Sequence, residues 1–248
     1  MDKIDKINKD NLKENYEFLY KKVISDHSKN YSPIVLSFRN EIIKQKYPLS
    51  PMDMINLDLM YFEALKIDGK TFNGREAINE AYSLLMKIEA TPDLKFTLFK
   101  NLGNDFQILE DIRKELNCFS EASYFALKIG RRDEAIALKK DVISLAKRFP
   151  ETEIDKYMPS FEELILQFGK DSGKELYSFE KESPNIMFDP IETNPFYIRF
   201  IDKVNSRIDA YFKENKEEFS EQKFNSLKRK FLKEEGLDWN PPYTNNKA

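Results

Sequence analysis

The sequence predicts an all-α protein of stacked antiparallel helix pairs, an α-solenoid or irregular bundle with no significant sheet. Three observations predict it. Apolar residues recur at three- and four-residue steps along most of the chain, the period of a helix face that must be buried. No stretch alternates convincingly with the two-residue period of a strand. Glycine is scarce, seven in 248 residues, under half the roughly 7% of average usage. Phosphate loops, primed hairpin turns and barrel corners all consume glycine, so folds built on them are disfavoured.

The elements follow in order. Leu12, Tyr16, Leu19 and Val23 form the first stripe. Ser32-Pro33, Ser50-Pro51, Thr91-Pro92 and Asn194-Pro195 read as helix starts. The polar side chain can accept from a free first-turn amide, and proline at the next position loses no helical N–H bond. Ser183-Pro184 instead opens a loop, because Pro190 and Pro195 follow closely. The helix over 51–67 is apolar nearly all round, so it should be central. Ile78, Ala81, Leu85 and Ile88 mark the next helix. Shorter helices are expected over 34–46, 92–102, 104–117 and 120–130, with Gly103 at a junction and 104–117 near the surface. Ala135, Leu138, Val142, Leu145 and Phe149 make another stripe, and Ser160 with Glu163 forms a capping box for 160–169. Residues 183–194 are irregular yet carry Ile186, Met187, Phe188 and Ile191, too apolar for a free linker. They should lie pinned in a groove on the helical body and separate a helical array (1–182) from a C-terminal helical element with its tail (195–248). Tyr197, Ile201, Val204, Ile208 and Tyr211 line the first helix of that element, and 221–235 forms its second. Gly236 should cap it, and Trp239 should dock the tail.

Composition excludes several chemistries. One histidine rules out zinc or di-iron sites that need two. One cysteine, Cys118, rules out an intrachain disulfide framework and fits a reducing compartment. The chain carries 40 basic and 43 acidic residues, net −3, which leaves no electrostatic footprint for nucleic acid. The basic run Lys228-Arg229-Lys230-Phe231-Leu232-Lys233 is flanked by Glu217, Glu218, Glu221, Glu234 and Glu235, and reads as a solvated helix face. The first residues lack an apolar signal region, and no run approaches the ~20 apolar residues of a membrane span. A cytoplasmic location without membrane association is therefore expected.

Residues 116–150 carry a recognisable pattern. Phe119, the small pair Ala122 and Ser123, Gly130 at a turn, Ala135, Val142 and Pro150 fall in order, with Gly130-Arg131-Arg132-Asp133-Glu134-Ala135-Ile136 as the strongest string. This stretch resembles a tetratricopeptide (TPR) unit, departing from the usual pattern at Ala126 and Lys139. Residues 51–90 echo it more loosely through Tyr61-Phe62-Glu63-Ala64-Leu65-Lys66-Ile67 and Glu76-Ala77-Ile78. A generic αα-hairpin is the competing reading, and both predict stacked helix pairs. The resemblance implies that Asn117, Ser120, Tyr124 and Lys128 form a partner-contacting face, with Arg131 and Arg132 at its rim.

No catalytic constellation emerges. His27 sits at the end of the first long helix, where the macrodipole favours a histidine. Neither a phosphate-binding loop nor a Gly-x-Ser-x-Gly elbow is present. No cofactor or metal is expected. The function expected is non-enzymatic binding of a protein or peptide, as in a toxin-neutralising immunity protein, an adaptor or a chaperone. The alternative is an enzyme with a carboxylate or metal-assisted site buried in the helical body.

Overall fold

Helix starts follow the capping chemistry. In the computed structural model, which describes residues 11–25, 31–182 and 186–244, Ser50 accepts from the Asp53 amide at 3.1 Å and Thr91 from the Leu94 amide at 3.4 Å. Asn194 accepts from the Phe196 amide at 2.9 Å. The capping box at Ser160 and Glu163 closes in both directions. The Ser32-Pro33 start differs. There Tyr31 is the N-cap, and Ser32 already lies in the helix. Tyr31 is buried, and its carbonyl accepts from the Ile34 and Val35 amides. His27 and Ser183-Pro184 lie outside the described residues.

The protein is all-α, with twelve α-helices among the described residues. It divides into two compact units, residues 1–89 and 90–248. The first contains α1 (Leu12–Ser25), α2 (Ser32–Gln45), α3 (Pro51–Ile67), a 3-10 turn (Thr71–Gly74) and α4 (Arg75–Leu85). As its all-round apolarity predicts, α3 is central and packs against α1, α2 and α4. Its buried residues include Ile55, Leu57, Met60, Phe62 and Leu65. An ionisable pair, Asp58 and Arg39, is buried with them. Asp58 accepts from Arg39 Nε at 2.5 Å, and Arg39 Nη2 reaches Glu80 at 2.5 Å, so one guanidinium joins α2, α3 and α4.

The second unit is a stack extended by a hairpin. It contains α5 (Pro92–Ile108), α6 (Ile112–Lys128), α7 (Arg132–Ala146), α8 (Glu151–Ile154), α9 (Phe161–Phe168) and α10 (Lys170–Glu182). Helix α5 packs on α6, α6 on α7, and α10 returns onto α7 while pairing with α9. At the α6–α7 turn Gly130 takes φ +78°. The Arg131 amide bonds back to the Ala126 carbonyl at 2.9 Å, the closing bond of a Schellman motif. Small residues let α6 and α7 approach. Ala122, Ser123 and Ala135 are buried, and Ser123 Oγ donates to the Ala135 carbonyl at 2.8 Å.

Two sequence expectations are corrected here. Residues 104–117 do not form a separate surface helix, because α5 runs through Gly103 to Ile108. Gly103 serves close packing: a Cβ there would lie against the edge of the Phe119 ring, well inside van der Waals contact. The turn comes later, where Glu110 adopts φ +54° and Asp111 caps α6 through the Lys114 amide at 3.3 Å. Helix α10, absent from the sequence reading, occupies 170–182. There Gly173 is helical and lets the α9 backbone at Ile165 come close.

Beyond α10, β1 (Ile186–Met187) pairs antiparallel with β2 (Tyr243–Thr244), two residues each. Between them run a 3-10 turn (Pro190–Thr193), α11 (Pro195–Asn215) and α12 (Glu221–Glu234). Tyr197, Ile201, Val204 and Ile208 of α11 pack with Leu227, Phe231 and Leu232 of α12 and with Trp239. Trp239 is 1% exposed, and its Nε1 donates to Glu192 at 2.9 Å, so the tail docks intramolecularly. No helix among the described residues is long and apolar enough to cross a membrane.

Candidate partner-binding face

Asn117, Ser120, Tyr124 and Lys128 all lie on α6 at three- and four-residue steps, so they form one stripe. Eleven residues separate its ends, about 16 Å along the axis. Asn117 and Lys128 are exposed, and Ser120 is half-buried. Tyr124 is 50% exposed, yet it is held in place. The Lys128 ammonium lies 4.4 Å from its ring centroid, and Phe125 meets the ring edge-on at 5.2 Å. Phe125 in turn stacks at 6.0 Å on the buried Phe99 of α5, with Lys95 over its other neighbourhood at 5.5 Å. A ring series therefore runs from the core to the surface and ends on an open tyrosine. Tyrosine offers apolar area and a hydroxyl together, and a pre-positioned side chain loses less entropy on binding.

The two arginines expected at the rim have separate roles. Arg131 pairs with Asp93 at 2.9 Å and with Glu134 at 3.4 Å, and lies over Phe96 at 4.9 Å. Lys100 also reaches Glu134, at 3.1 Å, which completes a four-charge network between α5 and the start of α7. Arg132 turns away into a structural contact. Its guanidinium donates to the Phe168 carbonyl at the end of α9 and to Ser172 Oγ at 3.1 Å. Arg132 is seven residues from Lys139, two helical turns along the same face, and Lys139 is buried with its ammonium over the Phe168 ring at 5.9 Å. Burial pulls the Lys139 pKa below the ordinary lysine value.

The sequence reading missed the polar pins that hold the second unit together. Glu110 accepts from Tyr197 Oη at 2.6 Å, Asn205 Nδ2 at 2.9 Å and Lys228 Nζ at 2.7 Å. Burial opposes its ionisation, but the Lys228 ammonium and three donated hydrogen bonds outweigh that and hold the carboxyl below its ordinary value. Arg113 donates to the Thr193 carbonyl at 3.0 Å and Tyr157 Oη at 2.5 Å, and pairs with Glu153 at 2.9 Å. Glu192 joins Arg148 at 2.6 Å to Trp239. These partners are 40 or more residues apart in sequence, so local spacing carries no trace of them.

Groups that could do chemistry are dispersed. Cys118 is fully buried on α6, and burial pushes its thiol up, away from the reactive thiolate. Burial also pushes Asp58 and Glu115 up to about 7, against the pull of Arg39 and Arg148 respectively. Neither lines either of two cavities in the protein. One, of about 550 Å³ in the first unit, is lined by Leu12, Tyr16, Leu49 and Asp53 with their neighbours. The other lies along α12. No group of three or more metal-ligating side chains occurs among the described residues. Comparison with known protein families, curated proteins and solved structures finds no match to this chain.

Proposed function

We propose that the protein is a non-enzymatic, cytoplasmic interaction module of helical-repeat type that binds a protein or peptide through the outward face of α6. The carrying observation is Tyr124, half exposed yet fixed between Lys128 and Phe125. Exposed tyrosine and arginine side chains are the residue types that anchor interfaces. The TPR-like reading draws support from the small residues where α6 and α7 cross, the left-handed Gly130, and the continuation of the stack through α10. Asn117 and Ser120 extend the stripe with neutral hydrogen-bonding groups, which suits a peptide backbone. Arg131, held by Asp93, Glu134 and Phe96, stands at the turn that follows the stripe, whereas Arg132 is assigned to structure. A toxin-neutralising immunity protein, an adaptor and a chaperone are the classes that fit such a module.

The test is capture of partners from the native cell by the tagged protein, comparing wild type with the Tyr124→Ala/Lys128→Ala double variant. Both side chains are exposed, so thermal unfolding should shift little, within about 1 kcal/mol. Capture should fall at least tenfold. Unchanged capture by a folded double variant rejects the face.

A further inference from the structure

The basic run near the C-terminus does not behave as a uniform solvated face. Helix geometry sorts its charges into three directions. Lys228 points inward and is held by Glu110, close to the Tyr197, Phe224 and Trp239 rings. The acidic residues that follow are engaged toward α11: Glu234 pairs with Arg207 at 2.5 Å, and Glu235 with Lys203 at 2.7 Å. What remains outward is a stripe of Gln222, Asn225, Ser226, Arg229, Lys230 and Lys233, three cations with no acid among them. No carboxylate lies within ion-pair distance of these three cations among the described residues, although Lys230, after Arg207, helps hold the Glu234 carboxyl below its ordinary value from farther off.

This stripe is one wall of a groove of about 640 Å³, and Pro241 of the tail forms the other. The second wall is held in place. Asn240 donates to Asp189 through its amide at 2.8 Å and its side chain at 3.2 Å, and accepts from Arg229 at 3.2 Å. Trp239, beside it, is buried. The groove is therefore a fixed feature with a net charge of one sign.

We propose that the α12 groove binds an extended acidic peptide segment of a partner protein. Charge complementarity selects an anion. The rest of the lining selects a peptide: Gln222 and Asn225 each offer a donor and an acceptor, the pair a peptide backbone needs, and Ser226 adds a hydroxyl. Among the described residues no aromatic ring lines the groove to stack a base, which disfavours a nucleic acid. The spacing agrees. Arg229 and Lys233 are one helical turn apart, about 5–6 Å, close to the roughly 6.6 Å between alternate side chains of an extended strand. Acidic residues at every second position of the peptide would meet successive cations. This site is separate from the α6 face and does not depend on it.

The experiment uses the full chain and a fluorescein-labelled peptide of three Glu-Ser repeats, followed by anisotropy at low ionic strength. The variant is Lys230→Gln/Lys233→Gln, which leaves Arg229 and its bond to Asn240 intact. Lys70→Gln/Lys87→Gln removes the same charge from exposed positions of the first unit. Affinity should fall at least fivefold in the first variant and less than twofold in the second. Tyr124→Ala/Lys128→Ala should bind the peptide as wild type does, which separates this site from the α6 face. Carbodiimide cross-linking should join peptide carboxylates to Lys230 or Lys233. Equal losses in the Lys230/Lys233 and Lys70/Lys87 variants, cross-links confined to other lysines, or no binding at all would overturn the proposal. Stronger binding of an octathymidylate through the same two lysines would overturn it in favour of a nucleic-acid face.

Discussion

Replacing Glu110 with glutamine should loosen the α11–α12 hairpin from the α5–α6 turn. Glu110 takes three hydrogen bonds there, and the Lys228 side chain it faces is only 7% exposed. A neutral partner strands that ammonium. Breaking a buried pair from one side costs about 3–5 kcal/mol. Glutamine keeps one acceptor and the same backbone, which puts the loss near the lower end, about 3 kcal/mol. For a protein of this size that lowers Tm by about 10 °C. Trp239 is the chain's only tryptophan, and Lys228 lies 4.8 Å from its ring, so its emission follows the docking directly. Lys228→Met removes the stranded charge. In the Glu110→Gln background it should restore stability, with a coupling of at least about 1.5 kcal/mol in the double-mutant cycle. The sign with pH is fixed by the lowered pKa. Glu110 stabilises fully above its ordinary value of 4.5, and that stabilisation is lost as pH falls through the lower folded value. The gap between wild type and Glu110→Gln should therefore narrow only in acid. A variant within about 1 kcal/mol of wild type, or simple additivity with Lys228→Met, refutes the assignment.

Two further outcomes test the packing. Gly103→Ala should destabilise by about 1–3 kcal/mol, because its Cβ clashes with the edge of the Phe119 ring. At an open helical site the same change would stabilise, so an unchanged or raised urea midpoint contradicts the close approach. In the first unit, Asp58 keeps its proton up to about pH 7 when folded and releases it near 3.8 when unfolded, because burial outweighs Arg39, with Glu80 and Glu76 adding to the rise. The folded state thus binds the extra proton between those values. Stability should fall by on the order of a few kcal/mol as pH rises from 4 to 7, then level off. Hydrogen exchange of α3 amides measures this, and Asp58→Asn should flatten the slope. A slope unchanged by that substitution would mean that another group titrates.

Helices with an apolar stripe were legible in the sequence, and those without one were not. Ala135, Leu138 and Val142 recur on one face and are buried on α7. Helix α10 carries few apolar residues, and only Gly173 and Leu176 on it are buried. Its place against α7 is instead held by contacts from α7 side chains, such as Lys140 to Glu175 at 2.8 Å. Such pairings depend on neighbours far along the chain, which periodicity within a helix cannot encode. The α5 boundary failed for a related reason. A glycine can mark a turn or a crossing, and which applies at Gly103 depends on Phe119, sixteen residues later, being aimed at it.

Charge is where linear sequence misleads most in this chain. Lys228, Arg229 and Lys230 are adjacent, yet successive helical residues diverge by about 100°. One therefore enters the interior, where Glu110 meets it from 118 positions away. The other two line open groove. Arg131 and Arg132 divide in the same way, one onto Phe96 and Asp93 and the other onto the end of α9. The α6 stripe escaped this ambiguity because its members are spaced by whole turns. On α12 Lys228 is matched inside by Glu110, and Arg229 and Lys230 are left facing the groove. Removing Glu110 should thus reach beyond stability: a freed Lys228 would unsettle the α12 register that aligns Arg229 and Lys233, and peptide affinity should fall although Glu110 does not line the groove.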